Sequence, residues 1–289
     1  VEVLNVATGI LLDGLAYGMI LFIISVGLSV TMGLMGFVNL AHGAFAMAGG
    51  YATVSLMQGL GAPFLPALVL GAVLVGLASV PLERLLYARL YRAGELDQVL
   101  LTIGLVFMAI AVFTFIYGPA PRPLQVPAFL RGSVDLGFRS LAAYRLFMVV
   151  VGAILVAALW FGFERTRLGA TIRAAVDNRR MAQSVGIDVD RLFTLTFAVG
   201  SGLAALGGGL AVNILGLTPT FATQYLVFFL IVVAVGGAGS VKGAVVASLV
   251  LGITDHAGKY LYPDGGAFFI YAATIALLVA RPAGLYGRE

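Results

Sequence analysis

Residues 14–82 read GLAYGMILFIISVGLSVTMGLMGFVNLAHGAFAMAGGYATVSLMQGLGAPFLPALVLGAVLVGLASVPL, a run without a single aspartate, glutamate, lysine or arginine. A helix crosses a bilayer in about 20 residues, so a run this long has to fold back on itself. The breaks stand at Gly33-Leu34-Met35-Gly36 and Gly59-Leu60-Gly61-Ala62-Pro63, where glycine and proline interrupt the apolar sequence. Three helical segments are expected, near 8–32, 37–58 and 63–83.

Outward from this run, further uncharged stretches cover 98–121, 146–163, 192–241, 243–254 and 265–280. The stretch 192–241 divides near Gly216-Leu217-Thr218-Pro219. The whole chain therefore carries eight or nine segments, with 37–58 and 243–257 the weakest as full spans. Of its 289 residues 61% are hydrophobic and 10% charged, with mean hydropathy +1.06. Soluble domains carry roughly 25% charged residues, and a soluble fold could not hide this much apolar surface. The expected fold is an all-α polytopic membrane protein, one transmembrane domain over 1–289, with spanning or re-entrant segments. The absence of cysteine excludes disulfides and thiolate chemistry. The first apolar run follows Glu2 and Asp13 rather than a basic stretch, so no cleavable signal peptide is expected.

The net charge of +4 sits between hydrophobic runs, which points to membrane topology and away from nucleic acid. If nine segments cross, one side receives Arg84, Arg89, Arg92, Arg165, Arg167, Arg173, Arg179, Arg180, Arg191, Arg281 and Arg288. The other receives Arg122, Arg131, Arg139, Arg145 and Lys259. The richer side is expected in the cytoplasm, with the N-terminus outside and the C-terminus inside. The outer loop 118–145 carries Pro119, Pro121, Pro123 and Pro127 and reads as irregular, a cap or a simple connector.

Two glycine-rich elements share the pattern G-x6-G-A: Gly36 to Ala44, containing Asn39, His42 and Gly43, and Gly236 to Ala244, containing Gly237, Gly239, Ser240, Lys242 and Gly243. Interrupted segments in corresponding positions are pointers to a transport pathway, and irregular backbone at membrane depth must line water or protein. Asn39 and His42 are three apart, so on a helix they share an inward face, either lining a passage or fixing a helix contact. Lys242 either sits inside or, the favoured reading, snorkels at the cytoplasmic end of its segment. Gly237 to Lys242 is no phosphate loop, since Gly243 follows the lysine and both flanks are apolar. Asp13, Asp255 and His256 are expected near the outer ends of their segments, Asp255 and His256 either facing the mouth of a passage or standing as solvated helix ends. No H-E-x-x-H or G-x-S-x-G is present and no cluster of titratable groups at membrane depth is expected, so no catalytic or metal-binding residue is assigned.

The connection 164–191 is too long for a turn. Ile172, Ala175 and Val176, then Met181, Ala182 and Val185, form an apolar stripe at helical spacing. Arg173 and Asp177, four apart, are expected to pair on the exposed face, and Gly186 suits a helix stop. The stripe fits a helix outside the bilayer, either a handle for a partner or a solvated interfacial helix.

Several of these motifs, in this order, resemble the LivH-like permease subunits of branched-chain amino acid ATP-binding-cassette importers. They are Asn39-x-Ala41-His42-Gly43, Glu83-Arg84-x-x-Tyr87, Thr102-Ile103-Gly104-Leu105, Gly169-x3-Arg173-Ala174 with Ala182-x3-Gly186-Ile187, Gly236-Gly237-x-Gly239-Ser240-x2-Gly243-Ala244 and Arg281-Pro282-x-Gly284-Leu285-x-Gly287-Arg288. The resemblance spans nearly the whole chain. It implies a translocation pathway shared with a second permease subunit, a related chain or a second copy, in the bacterial inner membrane. It implies a periplasmic binding protein that delivers substrate. It also implies two cytoplasmic ATPases that carry ATP and magnesium, so that this chain binds no cofactor and is not an enzyme. The resemblance makes 168–187 the coupling helix, with Gly169, Arg173, Ala174, Asp177, Ala182, Gly186 and Ile187 facing the ATPase. Lys242 departs from the pattern, which favours an apolar residue or proline there.

A self-sufficient channel or secondary carrier is the competing reading and predicts a buried acid in the pathway. Related permeases carry urea, short amides, aromatic acids or sugars, so the resemblance does not name the cargo.

Overall fold

The computed structural model describes residues 2–36, 38–91, 93–124, 126–135 and 140–287, with side chains from residue 6 onward. Phe37, Arg92, Arg139 and Arg288, which entered the sequence argument, lie outside the described residues.

Helix α1 (Glu2–Met35) is the axis of the bundle: from Ala16 to Val30 every residue is buried. Lipid tails are as apolar as leucine, so helices associate in a bilayer by close packing of small residues. Here Gly27 meets the backbone of Gly200 on α9 (Val189–Leu215), while Gly14, Gly18 and Gly33 meet Gly252, Ser248 and Gly239, the last just before α11 (Val241–Leu261). Gly207 of α9 also meets Ile24, so both α9 and α11 run antiparallel to α1, as these pairings require.

Helix α2 (His42–Leu60) crosses α9 where Ala46 and Gly49 pack on Gly208 and Ala205. Helix α3 (Phe64–Leu82) leans on the same helix through Gly76 and Ala198. Pro81 lacks a donor for the helical ladder, and α3 runs on through a π turn (Glu83–Tyr87) into a last helical turn, α4 (Ala88–Leu90). Helices α5 (Glu95–Tyr117) and α6 (Ala143–Arg165) border the bundle and expose Phe107, Phe115, Ile154 and Phe161. Helix α10 (Phe221–Gly236), α11 and α12 (Phe268–Ala280) complete it.

Among the described residues five helices are long and apolar enough to cross a membrane: Val6–Met35, Phe64–Leu90, Glu95–Tyr117, Ala143–Arg165 and Val189–Leu215. Two shorter apolar helices, Phe221–Gly236 and Phe268–Ala280, accompany them. The protein is thus an all-α multi-pass membrane protein. The division expected near residue 216 is present, because Gly216 at φ +77° ends α9 and α10 begins at Phe221.

One end of the bundle gathers the C-termini of α1, α4, α6, α10 and α12 with the N-termini of α5, α9 and α11. The arginine-rich helices α7 (Arg167–Asp177) and α8 (Arg179–Ser184) lie across it. The opposite end holds the proline-rich loop. That loop is more ordered than the prolines suggest: strands β1 (Ser133–Asp135) and β2 (Ser140–Ala142) pair antiparallel, Val134 opposite Leu141. The backbone N–H of Arg122 donates to the Leu217 carbonyl at 2.9 Å, so the loop is tied down over the α9–α10 turn.

Candidate functional site

The two glycine-rich elements are both breaks between helices, and each is held by its own contacts. At the first, α1 ends and Gly36 turns the chain at φ +75°. The chain then runs back beside α1, and α2 starts at His42, whose Nε2 lies 2.8 Å from the Ile24 carbonyl. A carbonyl only accepts, so the ring carries its proton on Nε2. Ile24 is eleven residues before Met35, about 16 Å along the helix, so α2 begins well inside the bundle. Asn39 precedes the helix and does not share a face with His42 as expected. Its Oδ1 accepts from the Ala41 N–H and the Tyr87 hydroxyl, each at 3.1 Å. Gly43 lies against the backbone of Ala222, at the start of α10. His42 thus ties the start of α2 to α1, and Asn39 ties the turn before α2 to the π turn after α3.

At the second break, Gly237 takes φ +93° and Gly239 φ +80°, conformations that suit glycine. The tail docks here: the N–H groups of Leu285 and Tyr286 donate to the Val235 and Gly236 carbonyls at 2.7 and 3.1 Å. These carbonyls belong to the last turn of α10 and have no partner within their helix, so the tail supplies it. A Cβ on Gly237 would strike the backbone of Gly287. Gly236 and Gly243 touch backbone to backbone, and Ser240 caps α11 by accepting from the Gly243 N–H at 3.0 Å. Lys242 lies at the mouth of this break and pairs with Glu164 at 3.0 Å, both side chains partly in solvent.

The connection 164–191 forms two helices rather than one. Thr166 caps α7 by accepting from Gly169, and Asn178 ends it and caps α8 by accepting from Met181. Ile172, Ala175 and Ala182 face inward with Val189 and Phe193. Gly169 is buried so tightly under the end of α6 that a Cβ there would meet the Phe163 carbonyl. Arg173 donates to that same carbonyl. The apolar stripe is also divided differently: Leu168, Met181 and Val185 are 49%, 62% and 70% exposed. The break at Asn178 rotates α8 relative to α7, so Met181 and Val185 leave the stripe. Ala174 and Asp177 are exposed beside them, Gly186 ends α8 at φ +89°, and Ile187 is half-buried.

Residues from both sets meet in one place. Arg173 and Asp177 of α7 and Gly239, Ser240 and Lys242 of the second break line a common cleft of about 630 Å³.

Two buried acids depart from the sequence expectation. Asp255 is 1% exposed rather than a solvated helix end. It accepts from Lys259 at 2.6 Å, with His256 Nδ1 3.8 Å away, and Tyr17 packs on His256. Asp13 pairs nearby with Arg145, so titratable groups gather among α1, α6 and α11 at that end of the bundle. Glu83 is 2% exposed and accepts from Tyr91 at 2.5 Å and Thr194 at 2.8 Å. The four-residue spacing of Glu83, Tyr87 and Tyr91 was its signal in the sequence, since it sets the acid on one helical face with two hydroxyls.

Comparison with known proteins agrees with this architecture. The chain is 26% identical to the high-affinity branched-chain amino acid transport system permease protein BraD of Pseudomonas aeruginosa, over 96% of this chain and 95% of that one. It is 25% identical to the permease protein LivH of Escherichia coli, over 96% and 94%. The solved structure of PsaBC from Streptococcus pneumoniae in complex with Fab shares the fold, at TM-score 0.51 and 14% identity, over 93% of this chain and 89% of that one. The profile of the family described as branched-chain amino acid transport system / permease component matches residues 10–278. The chain belongs to that family of membrane permease components.

Proposed function

We propose that this chain forms one half of the translocation pathway of an importer for branched-chain or related amino acids. The observation that carries the reading is the near-complete match to BraD and LivH, joined to an apolar patch on the arginine-rich face that this chain leaves uncovered. Leu168, Met181 and Val185 are its exposed apolar side chains, which suit the groove of a cytoplasmic ATPase. The arginine excess supports placing this face in the cytoplasm of a bacterial inner membrane, with the N-terminus outside. A second permease subunit, two ATPases carrying ATP and magnesium, and a periplasmic binding protein complete the machine. ATP-driven closure of the ATPases pulls on α7 and α8, and Arg173 and Gly169 transmit that movement to the end of α6. No bound cofactor is required of this chain.

The buried Asp255 is what an ion-coupled carrier would need. Its lysine partner makes a structural pair the better reading. Tagging the chain in its native cell and identifying what co-purifies separates the two. Recovery of ATPases, with uptake that stops when ATP is withheld, supports the importer. Transport by the chain alone, without ATP, overturns it.

A further inference from the structure

The cleft between α7 and the second break has dimensions typical of a small-ligand site, about 630 Å³. We propose that it binds a zwitterionic amino acid with an aliphatic side chain, taken from the cytoplasmic side, and so lets imported product restrain the importer. This rests on the amino acid reading of the cargo above.

The chemistry of the lining argues for that ligand class. Its charged groups are Glu164, Arg173, Asp177 and Lys242, two of each sign. A carboxylic acid or an amine alone would satisfy one sign and leave its counterpart unmatched. A zwitterion presents both charges a few ångströms apart and matches both. The bridge between Lys242 and Glu164 is 3.0 Å long with side chains 58% and 39% exposed. Such a half-solvated bridge is weak, and exchanging it for two bridges to a ligand costs little. The N-terminal turn of α11 faces the same space at Ser240 and Val241 and favours a carboxylate there. Trp160, Ile172 and Val176 supply an apolar wall for the side chain.

Location gives the site its consequence. The walls belong to the end of α1, to α6 and α7, to the second break and the start of α11, and to the tail. A ligand bridging Lys242 to α6 and α7 fixes the handle against the second break, and a state that must separate them is then disfavoured.

Trp160 is the only tryptophan of the chain and stands on the cleft wall, so it reports directly on occupancy. The full chain in lipid nanodiscs is titrated with leucine, with 4-methylpentanoate, which lacks the ammonium, and with 3-methylbutylamine, which lacks the carboxylate. Leucine is expected to change Trp160 fluorescence saturably, with at least tenfold weaker response to either analogue. The double variant Glu164→Gln/Lys242→Met is expected to weaken leucine binding at least tenfold; should it not fold, the two analogues alone decide. No saturable response to leucine, equal responses to all three, or an undiminished response in a folded variant overturns the site. Uptake of labelled leucine by the reconstituted importer tests the cargo separately. Uptake without a Trp160 response removes this site and leaves the cargo reading standing; a selective Trp160 response without uptake leaves the binding site and removes the cargo reading, and with it the restraint by imported product. Leucine loaded on the ATPase side is expected to slow uptake threefold or more in the wild type and not in the double variant. Equal slowing in both would also overturn the proposal.

Discussion

The imidazole of His42 reaches back to the carbonyl of Ile24 at 2.8 Å, which ties the first turn of α2 to the middle of α1. The Ile24 carbonyl already belongs to a helical ladder, so the bond adds a second donor rather than satisfying an orphan. Replacement His42→Leu is expected to lower stability by about 1 kcal/mol, the usual net value of one hydrogen bond within a bilayer. A thermal melt in nanodiscs reads the loss. Cargo preference should stay the same, and a changed preference would return His42 to the passage.

Glu83 joins the end of α3 to α9 by accepting from Tyr91 and Thr194. Glu83→Ala leaves both hydroxyls without their acceptor in a buried place and is expected to cost about 2 kcal/mol. Glu83→Gln keeps one acceptor oxygen and should cost less. Equal melting temperatures for the two variants would remove the hydrogen bonds as the cause.

Lys259 covers the buried carboxylate of Asp255. Removing one partner of a buried pair costs about 3–5 kcal/mol, and the lysine here is half in solvent, so about 2 kcal/mol is expected for Lys259→Met. The double variant Asp255→Asn/Lys259→Met should recover most of that loss. Failure to recover, or loss of transport out of proportion to stability, would point to a functional acid.

Leu168 and Met181 on α7 and α8 are 49% and 62% exposed and lie outside the buried cluster beneath these helices. Leu168→Glu and Met181→Glu are therefore expected to leave the melting temperature nearly unchanged, within about 0.5 kcal/mol in stability. The same variants should prevent recovery of ATPases on the tagged chain and abolish uptake. Normal recovery and uptake would take the ATPase contact away from this patch.

The gap between expectation and structure is clearest at Asn39 and His42. Their spacing suggests one helical face, yet Gly36 turns the chain and α2 does not begin until His42. Spacing constrains a face only once the helix boundary is known. Met181 and Val185 show the same limit, because the stripe they complete on paper is broken by the cap at Asn178.

The helical segments and their breaks were legible without coordinates. A bilayer forces the backbone into helices, and uncharged runs bounded by arginine and glycine leave few ways to place them. The contacts between distant segments were not legible. That Lys242 meets Glu164, that the tail closes the last turn of α10, and that Asp255 lies buried beside Lys259 each depend on which helices become neighbours. The hydropathy of a segment says that it is buried in lipid or protein. It is the same for every arrangement of neighbours, so only close packing of glycine-lined helices decided which groups meet.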